Sequence, residues 1–219
     1  VIADHDVFGA DAFENLVKRQ GVRKNKRYIL QSGDPKKDGR PTEDNMDATF
    51  KHLNGLVDNN DTVIFYAAAH GSKSGNDHVM HFGDWELTSS RIRDYFSTME
   101  EGQGIIMLES CFSAHTDKAL KGLENVTRVY SSRSNELSWT KHGEPGGRGL
   151  SRWKNFTGEF VDAFGSRSDV NNDGQISLEE AVRNVHLGYE VADSYNDSRL
   201  YDTTPQLRGP PYRGFGVLD

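Results

Sequence analysis

The sequence predicts an α/β fold with a mostly parallel central sheet, and we expect one domain over residues 1–219. Two apolar runs, residues 62–69 and 105–109, have the length and continuous hydrophobicity of strands buried on both faces. Segments with helical periodicity separate such runs, as expected where crossover helices join parallel strands. A chain of 219 residues is long enough for one such domain with a sizeable core, and short for two.

The other elements follow from apolar spacing and from residues that begin or end helices. Gly21 is a plausible helix stop, and Thr42 begins a helix by the capping pattern. The Gly/Ser/Pro-rich stretch 134–150 is long enough to line a substrate cleft. In chain order we expect a strand tail at 1–3, a helix ending at Gly21, a strand at 27–31, a loop at 36–41, a helix from Thr42, a loop at 72–77, a small hairpin arm at 78–82, a helix at 89–99, a helix from 113 to about 123, a strand at 126–132, a helix over 153–164 and an extended tail at 202–219.

Composition narrows the class of protein. The net charge of −7 and the pI of about 5.6 indicate no nucleic-acid partner. No apolar run approaches the roughly 20 residues of a membrane helix. The single cysteine excludes an internal disulfide and a cysteine-based metal site, so it is an inert buried thiol, a reactive thiol or an intermolecular bridge. No signal peptide is visible, and the sequence leaves the compartment and the oligomeric state open.

Chemistry-bearing residues follow the two apolar strands. The first strand leads into His70-Gly71-Ser72, and the second leads through Glu109 and Ser110 to Cys111. Open α/β sheets place their reactive groups at the carboxyl ends of parallel strands. An imidazole beside a thiol can generate the thiolate and later protonate a leaving group. The pattern therefore predicts a Cys111–His70 dyad, with the backbone N–H groups of Gly71 and Cys111 as oxyanion donors.

At these two motifs the chain resembles the caspase-fold (clan CD) cysteine peptidases. The His-Gly-Ser and Glu-x-Cys forms and their spacing are most similar to the legumain family, especially its prokaryotic members, and the resemblance extends over about residues 10–165. It implies a caspase-like αβα sandwich and peptide cleavage after a preferred P1 side chain. By position, it implies that Cys111 is the nucleophile, His70 the catalytic acid/base and Gly71 an oxyanion donor.

The residues expected to bind the P1 side chain give conflicting indications. Legumain-like proteins place an Asn and an Arg early in the chain, and this sequence has neither there. Asp4 and Asp6 occupy that region and would suit a basic P1 side chain. The strand after the cysteine often lines the P1 pocket in this superfamily, which makes Ser131, Ser132 and Arg133 candidates. Arg133 would favour an acidic P1 side chain, so both specificities stay open.

Residues 169–180 fit the twelve-residue EF-hand loop at every constrained position. Gly174 provides the sharp turn, Ile176 points to the core and Ser177 occupies position 9. Helical patterns flank the loop, and the alternative is an Asp/Asn/Gly turn without metal. A solitary loop favours a structural Ca²⁺ site over sensing, and we expect no organic cofactor. The predicted ligands are Asp169, Asn171, Asp173, Gln175 (through its carbonyl) and Glu180.

These features favour a cysteine endopeptidase that acts on a protein or peptide substrate. Two alternatives share the fold: an inactive, calcium-dependent binding module, and a transpeptidase that uses the same acyl-enzyme. The remaining histidines are scattered, and the pair His78 and His81 is interpreted as surface rather than as metal ligands.

Overall fold

The described part of the chain contains nine strands and six α-helices. The computed structural model describes residues 1–4, 9–32, 38–99, 102–138, 156–164, 169–193 and 206–208. The strands are β1 (Ile2–Ala3), β2 (Leu30–Gln31), β3 (Thr62–Ala68), β4 (His70–Ser74), β5 (Asp77–Phe82), β6 (Trp85–Thr88), β7 (Gln103–Glu109), β8 (Val126–Tyr130) and β9 (Gln206–Arg208). The helices are α1 (Ala10–Arg19), α2 (Glu43–Asn54), α3 (Ser89–Ser97), α4 (Asp117–Leu120), α5 (Phe156–Ala163) and α6 (Leu178–Asp193).

The main sheet has six strands in the order β2-β1-β3-β7-β8-β9. All neighbouring pairs are parallel except β8 and β9, which are antiparallel. The two continuous apolar runs form the adjacent central strands β3 and β7, because only strands covered on both faces gain from burying every side chain. The predicted α/β class with a mostly parallel central sheet is confirmed.

Two hydrophobic cores lie on the two faces of this sheet. Side chains alternate along β7, so Ile106 and Leu108 join one core while Ile105 and Met107 join the other. The first core also contains residues of α2, α3 and α4, and the second contains residues of α1, α5 and α6. Each fully buried aliphatic side chain contributes about 1.5–3 kcal/mol, so both helix layers stabilise the same central strands.

Threonine caps begin α2 and α3. The Thr42 hydroxyl accepts a hydrogen bond from the Asn45 N–H, and the Thr88 hydroxyl accepts one from the Arg91 N–H. Each cap satisfies a backbone donor that has no partner inside the helix. The helix start predicted at Thr42 agrees with this geometry.

A second, three-stranded antiparallel sheet corrects the loop predicted at residues 72–77. β4, β5 and β6 pair in that order, with His70 opposite His81. The sequence pattern does not indicate β4, because its side chains are mostly exposed and polar. Backbone pairing with β5, and not burial, holds this strand in place. The first strand of this small sheet begins at His70, two residues after the end of β3.

Other boundaries differ modestly from prediction. The helix expected from 113 to about 123 is a 3₁₀ turn (Ser113–Thr116) followed by the short α4, and α3 ends at Ser97 rather than at residue 99. The expected cleft stretch beyond residue 138, the start of the helix at Trp153 and most of the tail at 202–219 lie outside the described residues. Within the described ranges no helix is both long and apolar enough to cross a membrane.

Candidate active site

The register of the central strands places His70 and Cys111 at neighbouring points of one sheet edge. Ala68 of β3 is paired with Glu109 of β7, and the Ala69 N–H donates to the Glu109 carbonyl at 3.2 Å. His70 and Cys111 each follow two residues beyond that pair. The His70 side chain is exposed and Cys111 is half-buried, so both side chains can be reached from solvent. The structure thus brings the two predicted catalytic residues to the same edge.

A tight turn at the end of β7 presents Cys111. Phe112 adopts the left-handed conformation with φ of 60°, and its N–H donates to the Glu136 carbonyl at 2.7 Å. A bulky residue in this conformation is uncommon and costs free energy, so the surrounding contacts must hold it there. The thiol donates weakly to the Ser138 carbonyl, with Sγ and the oxygen 3.7 Å apart. The segment that follows β8 therefore braces the cysteine turn.

Four buried serines join the ends of β7 and β8 beneath this turn. The Ser110 N–H donates to the Ser131 hydroxyl at 3.1 Å, and the Ser132 hydroxyl donates to the Ser110 carbonyl at 3.0 Å. The Ser113 N–H donates to the Ser132 hydroxyl at 3.1 Å. Ser131 and Ser132 have no exposed surface. Their hydroxyls are used inside the chain, so in this structure they support the turn and offer no surface to a substrate.

Gly71 approaches the cysteine turn too closely for any side chain. A Cβ at this position would lie 2.4 Å from the Cys111 carbonyl oxygen and 2.9 Å from Ser110 Cβ. Lys73, two residues further along β4, places its Nζ 4.7 Å from the centre of the Phe112 ring. β4 therefore packs directly on the turn that carries the thiol.

The residues predicted to read the P1 side chain lie at different depths. Asp4 follows β1 at the same sheet edge, is nearly buried, and donates its N–H to the Ala68 carbonyl at 3.1 Å. Asp6 lies outside the described residues. Arg133 is exposed and forms an ion pair with Glu136, with Nη1 and Oε1 3.3 Å apart. The Arg133 guanidinium, the group predicted to favour an acidic P1 side chain, is thus paired with Glu136.

A buried carboxyl, Glu109, lies two residues before the cysteine. Its Oε2 accepts a hydrogen bond from the Tyr66 hydroxyl at 2.9 Å and another from the Thr157 hydroxyl of α5. Burial raises the pKa of Glu109 to about 7, although both hydroxyls favour its charged form. The sequence held one signal for this group, since a single acidic residue ends an otherwise apolar strand.

His78 corrects the surface interpretation of the pair His78 and His81. His78 has no exposed surface, and its ring contacts Ser110, Cys111 and Thr116. His81 is part-exposed, with one ring nitrogen 2.9 Å from the Ser72 hydroxyl and the other 3.1 Å from Glu86. A histidine in an alternating segment gives no sequence signal for burial, because its partners come from the turn after β7 and from the 3₁₀ turn.

The EF-hand-like loop folds around its acidic side chains. The Gly174 N–H donates to Asp169 Oδ2 at 2.9 Å, and Gly174 has a φ of 81°. Glu180 reaches back across the loop: Oε1 accepts from the Val170 N–H and Oε2 from the Ser177 N–H, both at 2.9 Å. These bonds lower the pKa of Glu180, the Ser177 N–H contributing most. Backbone N–H groups of the loop therefore donate to the carboxylates at both of its ends, Asp169 and Glu180.

His70 and Cys111 do not line the cavity of about 590 Å³ that the described residues enclose. That cavity is lined by residues 62–65 at the amino end of β3 and by side chains of α1 and α2. His70 and Cys111 are at the carboxyl end of the sheet. The candidate site lies at the His70–Cys111 edge and not at the cavity, because the thiol and the imidazole are at that edge.

The fold belongs to the caspase-like class. The crystal structure of caspase-1 from Spodoptera frugiperda superposes with a TM-score of 0.60 at 8% sequence identity, covering 92% of this chain and 76% of that one. At this identity the likeness establishes the fold alone.

The sequence also matches a family directly. The model of the Peptidase C13 family matches residues 43–199, more than half of the chain, and includes both His70 and Cys111. The chain belongs to the Peptidase C13 family. A search of curated proteins finds no match. Fold and family together define a cysteine peptidase of the caspase fold, as the two motifs predicted.

Proposed function

We propose that this protein is a cysteine endopeptidase in which Cys111 is the nucleophile and His70 the acid/base. The observation that carries the proposal is the shared edge: both residues lie two positions beyond the Ala68–Glu109 pair. The half-buried thiol and exposed imidazole give a substrate access to both groups. The Peptidase C13 match supports a protein or peptide substrate.

The reaction follows from these two groups. His70 accepts the thiol proton as Cys111 Sγ attacks the scissile carbonyl carbon, and the N–H groups of Gly71 and Cys111 are the proposed donors to the oxyanion. Breakage of the C–N bond releases an amine that takes the proton from His70 and leaves a thioester. Water, deprotonated by His70, then cleaves the thioester and restores the thiol. The absence of a side chain at Gly71 supports its role, since the backbone can reach the turn.

The proposal is tested by Cys111→Ala and His70→Ala. We expect each variant to lose hydrolysis of fluorogenic peptides while circular dichroism and the melting temperature stay close to those of the parent. His52→Ala on α2 is the matched control and should keep full activity. Turnover by Cys111→Ala above the uncatalysed rate would contradict the proposal.

The same assay separates the alternatives. An inactive binding module predicts that a thiol reagent labels Cys111 no faster than a free thiol, whereas the peptidase predicts faster labelling that His70→Ala removes. A transpeptidase predicts that an added amine acceptor captures the acyl group in preference to water. Substrates with Asn, Asp, Arg or Lys at P1 decide between the basic preference suggested by Asp4 and Asp6 and the acidic preference suggested by Arg133.

We also propose a structural Ca²⁺ site at residues 169–180. Oxygen ligands in this order suit Ca²⁺, and the Gly174 and Ser177 N–H groups donate to the Asp169 and Glu180 carboxylates within the loop. No group of three or more His, Cys, Asp or Glu side chains in the described residues is arranged to hold a metal. The proposed set also includes the Asn171 side chain and the Gln175 carbonyl. The proposed ligands are Asp169, Asn171, Asp173, Gln175 and Glu180.

Calorimetric titration tests the calcium site. We expect the protein to bind one Ca²⁺, and Asp173→Asn to weaken binding by removing one negative charge while keeping an oxygen acceptor for the Gln175 N–H. Asp162→Asn on α5, outside the loop, is the matched control and should bind as the parent does. Absence of binding heat, together with a melting temperature unchanged by chelator, would contradict the site.

A further inference from the structure

His78 connects the small sheet to the cysteine turn through both of its ring nitrogens. Nε2 lies 3.1 Å from the Cys111 carbonyl oxygen and 3.0 Å from the Ser110 hydroxyl, and Nδ1 lies 2.9 Å from the Thr116 hydroxyl. Ser110 is almost fully buried and Thr116 completely so. The ring therefore spans the turn from the residue before Cys111 to the end of the following 3₁₀ turn.

The partners of His78 fix its tautomer. A carbonyl oxygen can only accept, so Nε2 carries the proton and donates to Cys111. Nδ1 is then unprotonated and accepts from the Thr116 hydroxyl. Burial, followed by the neighbouring charges of His115 and His81, lowers the pKa of His78 to about 4, so the ring is neutral at ordinary pH. The contact is a fixed hydrogen-bond donor and not a proton-transfer group.

The backbone of His78 is held as firmly as its ring. Its N–H donates to the Ser89 hydroxyl at 3.1 Å, and that hydroxyl donates to Asp77 at 2.6 Å. The strand that carries His78 also pairs with β4, placing His81 opposite His70. The backbone of β5 thus pairs with β4, which begins at the proposed acid/base His70. The His78 side chain of β5 bonds to the carbonyl of the proposed nucleophile, Cys111.

Gly71 closes this junction from the other side. A Cβ there would lie 2.8 Å from His78 Nε2 as well as 2.4 Å from the Cys111 carbonyl oxygen. The glycine, the imidazole and the cysteine carbonyl therefore meet at one point, and a displaced ring would shift both β4 and the turn.

We propose that His78 is a positioning residue that holds the Cys111 peptide in the orientation needed for attack, by donating from Nε2 to the Cys111 carbonyl. The inference rests on the proposed nucleophile. It assigns His78 no contact with substrate, because the ring is fully buried and bonded to the carbonyl rather than to the sulfur.

Substitution of His78 by Leu and by Gln tests this role. Leu removes the donor, whereas the Gln side-chain amide can place an N–H near the position of Nε2. We expect His78→Leu to lower kcat by about 10²-fold with little change in KM, since misplacing a reacting group by about 1 Å has that effect. His78→Gln should recover a large part of the loss, and the pH dependence of kcat/KM should keep its midpoint in both variants.

Leu87→Ala is the matched stability control. Leu87 is fully buried in β6 of the same small sheet, so its truncation should lower the melting temperature without lowering kcat. Equal kcat in folded His78→Leu and parent protein would overturn the proposal. So would a failure of His78→Gln to recover activity, or a shifted midpoint, which would indicate proton transfer.

Two measurements keep this inference separate from the peptidase proposal. Nitrogen NMR of ¹⁵N-histidine-labelled protein should show His78 as the neutral Nε2–H tautomer from pH 5 to pH 8; the other tautomer, or titration in that range, would overturn the proposal. The rate at which iodoacetamide alkylates Cys111 should fall in His78→Leu and recover in His78→Gln. If the parent hydrolyses no peptide, the peptidase proposal fails while these two measurements still decide the role of His78.

Discussion

At the scale of single residues, the site combines a reachable thiol with buried polar groups that never meet solvent. Cys111 is half-buried, while Glu109 and His78 on either side of the turn are closed off. Buried polar groups cost free energy unless they are hydrogen-bonded, and each of these groups has its partners. Burial of these polar groups costs free energy, and their hydrogen bonds fix the short segment around the proposed nucleophile.

Glu109 gives the protein a pH-dependent stability. The folded-state pKa of about 7 lies above the ordinary value of 4.5, so the folded state holds a proton that the unfolded state releases in that range. Stability should therefore be highest below about pH 4.5 as far as this group is concerned, and fall as the pH rises to 7. A pKa difference of this size corresponds to about 3 kcal/mol at most.

Glu109→Gln should remove this dependence. The amide keeps an oxygen acceptor for Tyr66 and Thr157 but cannot ionise, so chemical denaturation between pH 4.5 and 8 should show a flatter profile than the parent. Glu124→Gln, an exposed change on the loop before β8, should leave the profile unchanged. An unaltered profile in Glu109→Gln would show that other groups cause the dependence.

At the scale of elements, the approach of β4 to the cysteine turn sets a strict limit on residue 71. Gly71→Ala puts a methyl group within 2.4 Å of a backbone oxygen, which the turn can relieve only by moving. We expect a loss of about 1–3 kcal/mol in stability, as for overpacked cores, together with a severe loss of activity. Denaturant unfolding and peptide hydrolysis measure the two effects.

Gly55→Ala is the matched comparison for this prediction. Gly55 follows α2 with a right-handed helical φ of −82°, and a Cβ there would meet nothing closer than 3.5 Å. The substitution should be neutral or stabilising by about 0.4–1 kcal/mol, because alanine restricts the unfolded chain. Equal effects at residues 55 and 71 would mean that the close approach has no consequence.

The central strands could be predicted from sequence, whereas the small sheet could not. Burial on both faces leaves a continuous apolar run, which is visible in residues 62–69 and 105–109. β4 is polar and held by pairing with β5, so it leaves no such pattern. The same reason explains His78: its burial depends on partners more than thirty residues away, which local spacing does not encode.

The same division applies to the candidate site. His70 and Cys111 could be found because each lies within two residues of the end of an apolar strand, and parallel topology brings such positions together. The roles of Ser131 and Ser132 could not be predicted. Two serines at the end of a strand give the same sequence pattern whether their hydroxyls face a pocket or the adjoining turn. The structure directs them to Ser110 and Ser113.

At the scale of the whole molecule, one central strand serves both hydrophobic cores. β7 contributes alternate side chains to the two faces, and α5 reaches Glu109 at its end through Thr157. Ile176 of the proposed calcium loop and Leu178 of α6 are both almost fully buried. They belong to the hydrophobic core that also contains Ile105 and Met107 of β7. We therefore expect that Ca²⁺ binding at the loop also stabilises β7, the strand that leads to the proposed nucleophile.

Hydrogen exchange can show whether calcium stabilises the whole domain or only its own loop. A ligand that binds only the folded state at about 100 times its Kd adds about 2.7 kcal/mol, which slows exchange through global unfolding by about 10²-fold. If the loop is part of one cooperative unit, amides of β7 and α6 should slow by the same factor on adding Ca²⁺, because both exchange only when the domain unfolds. Asp173→Asn should reduce both factors together. Slower exchange in α6 with unchanged exchange in β7 would show instead that the loop and α6 open independently of the sheet, and that calcium does not stabilise the cysteine edge.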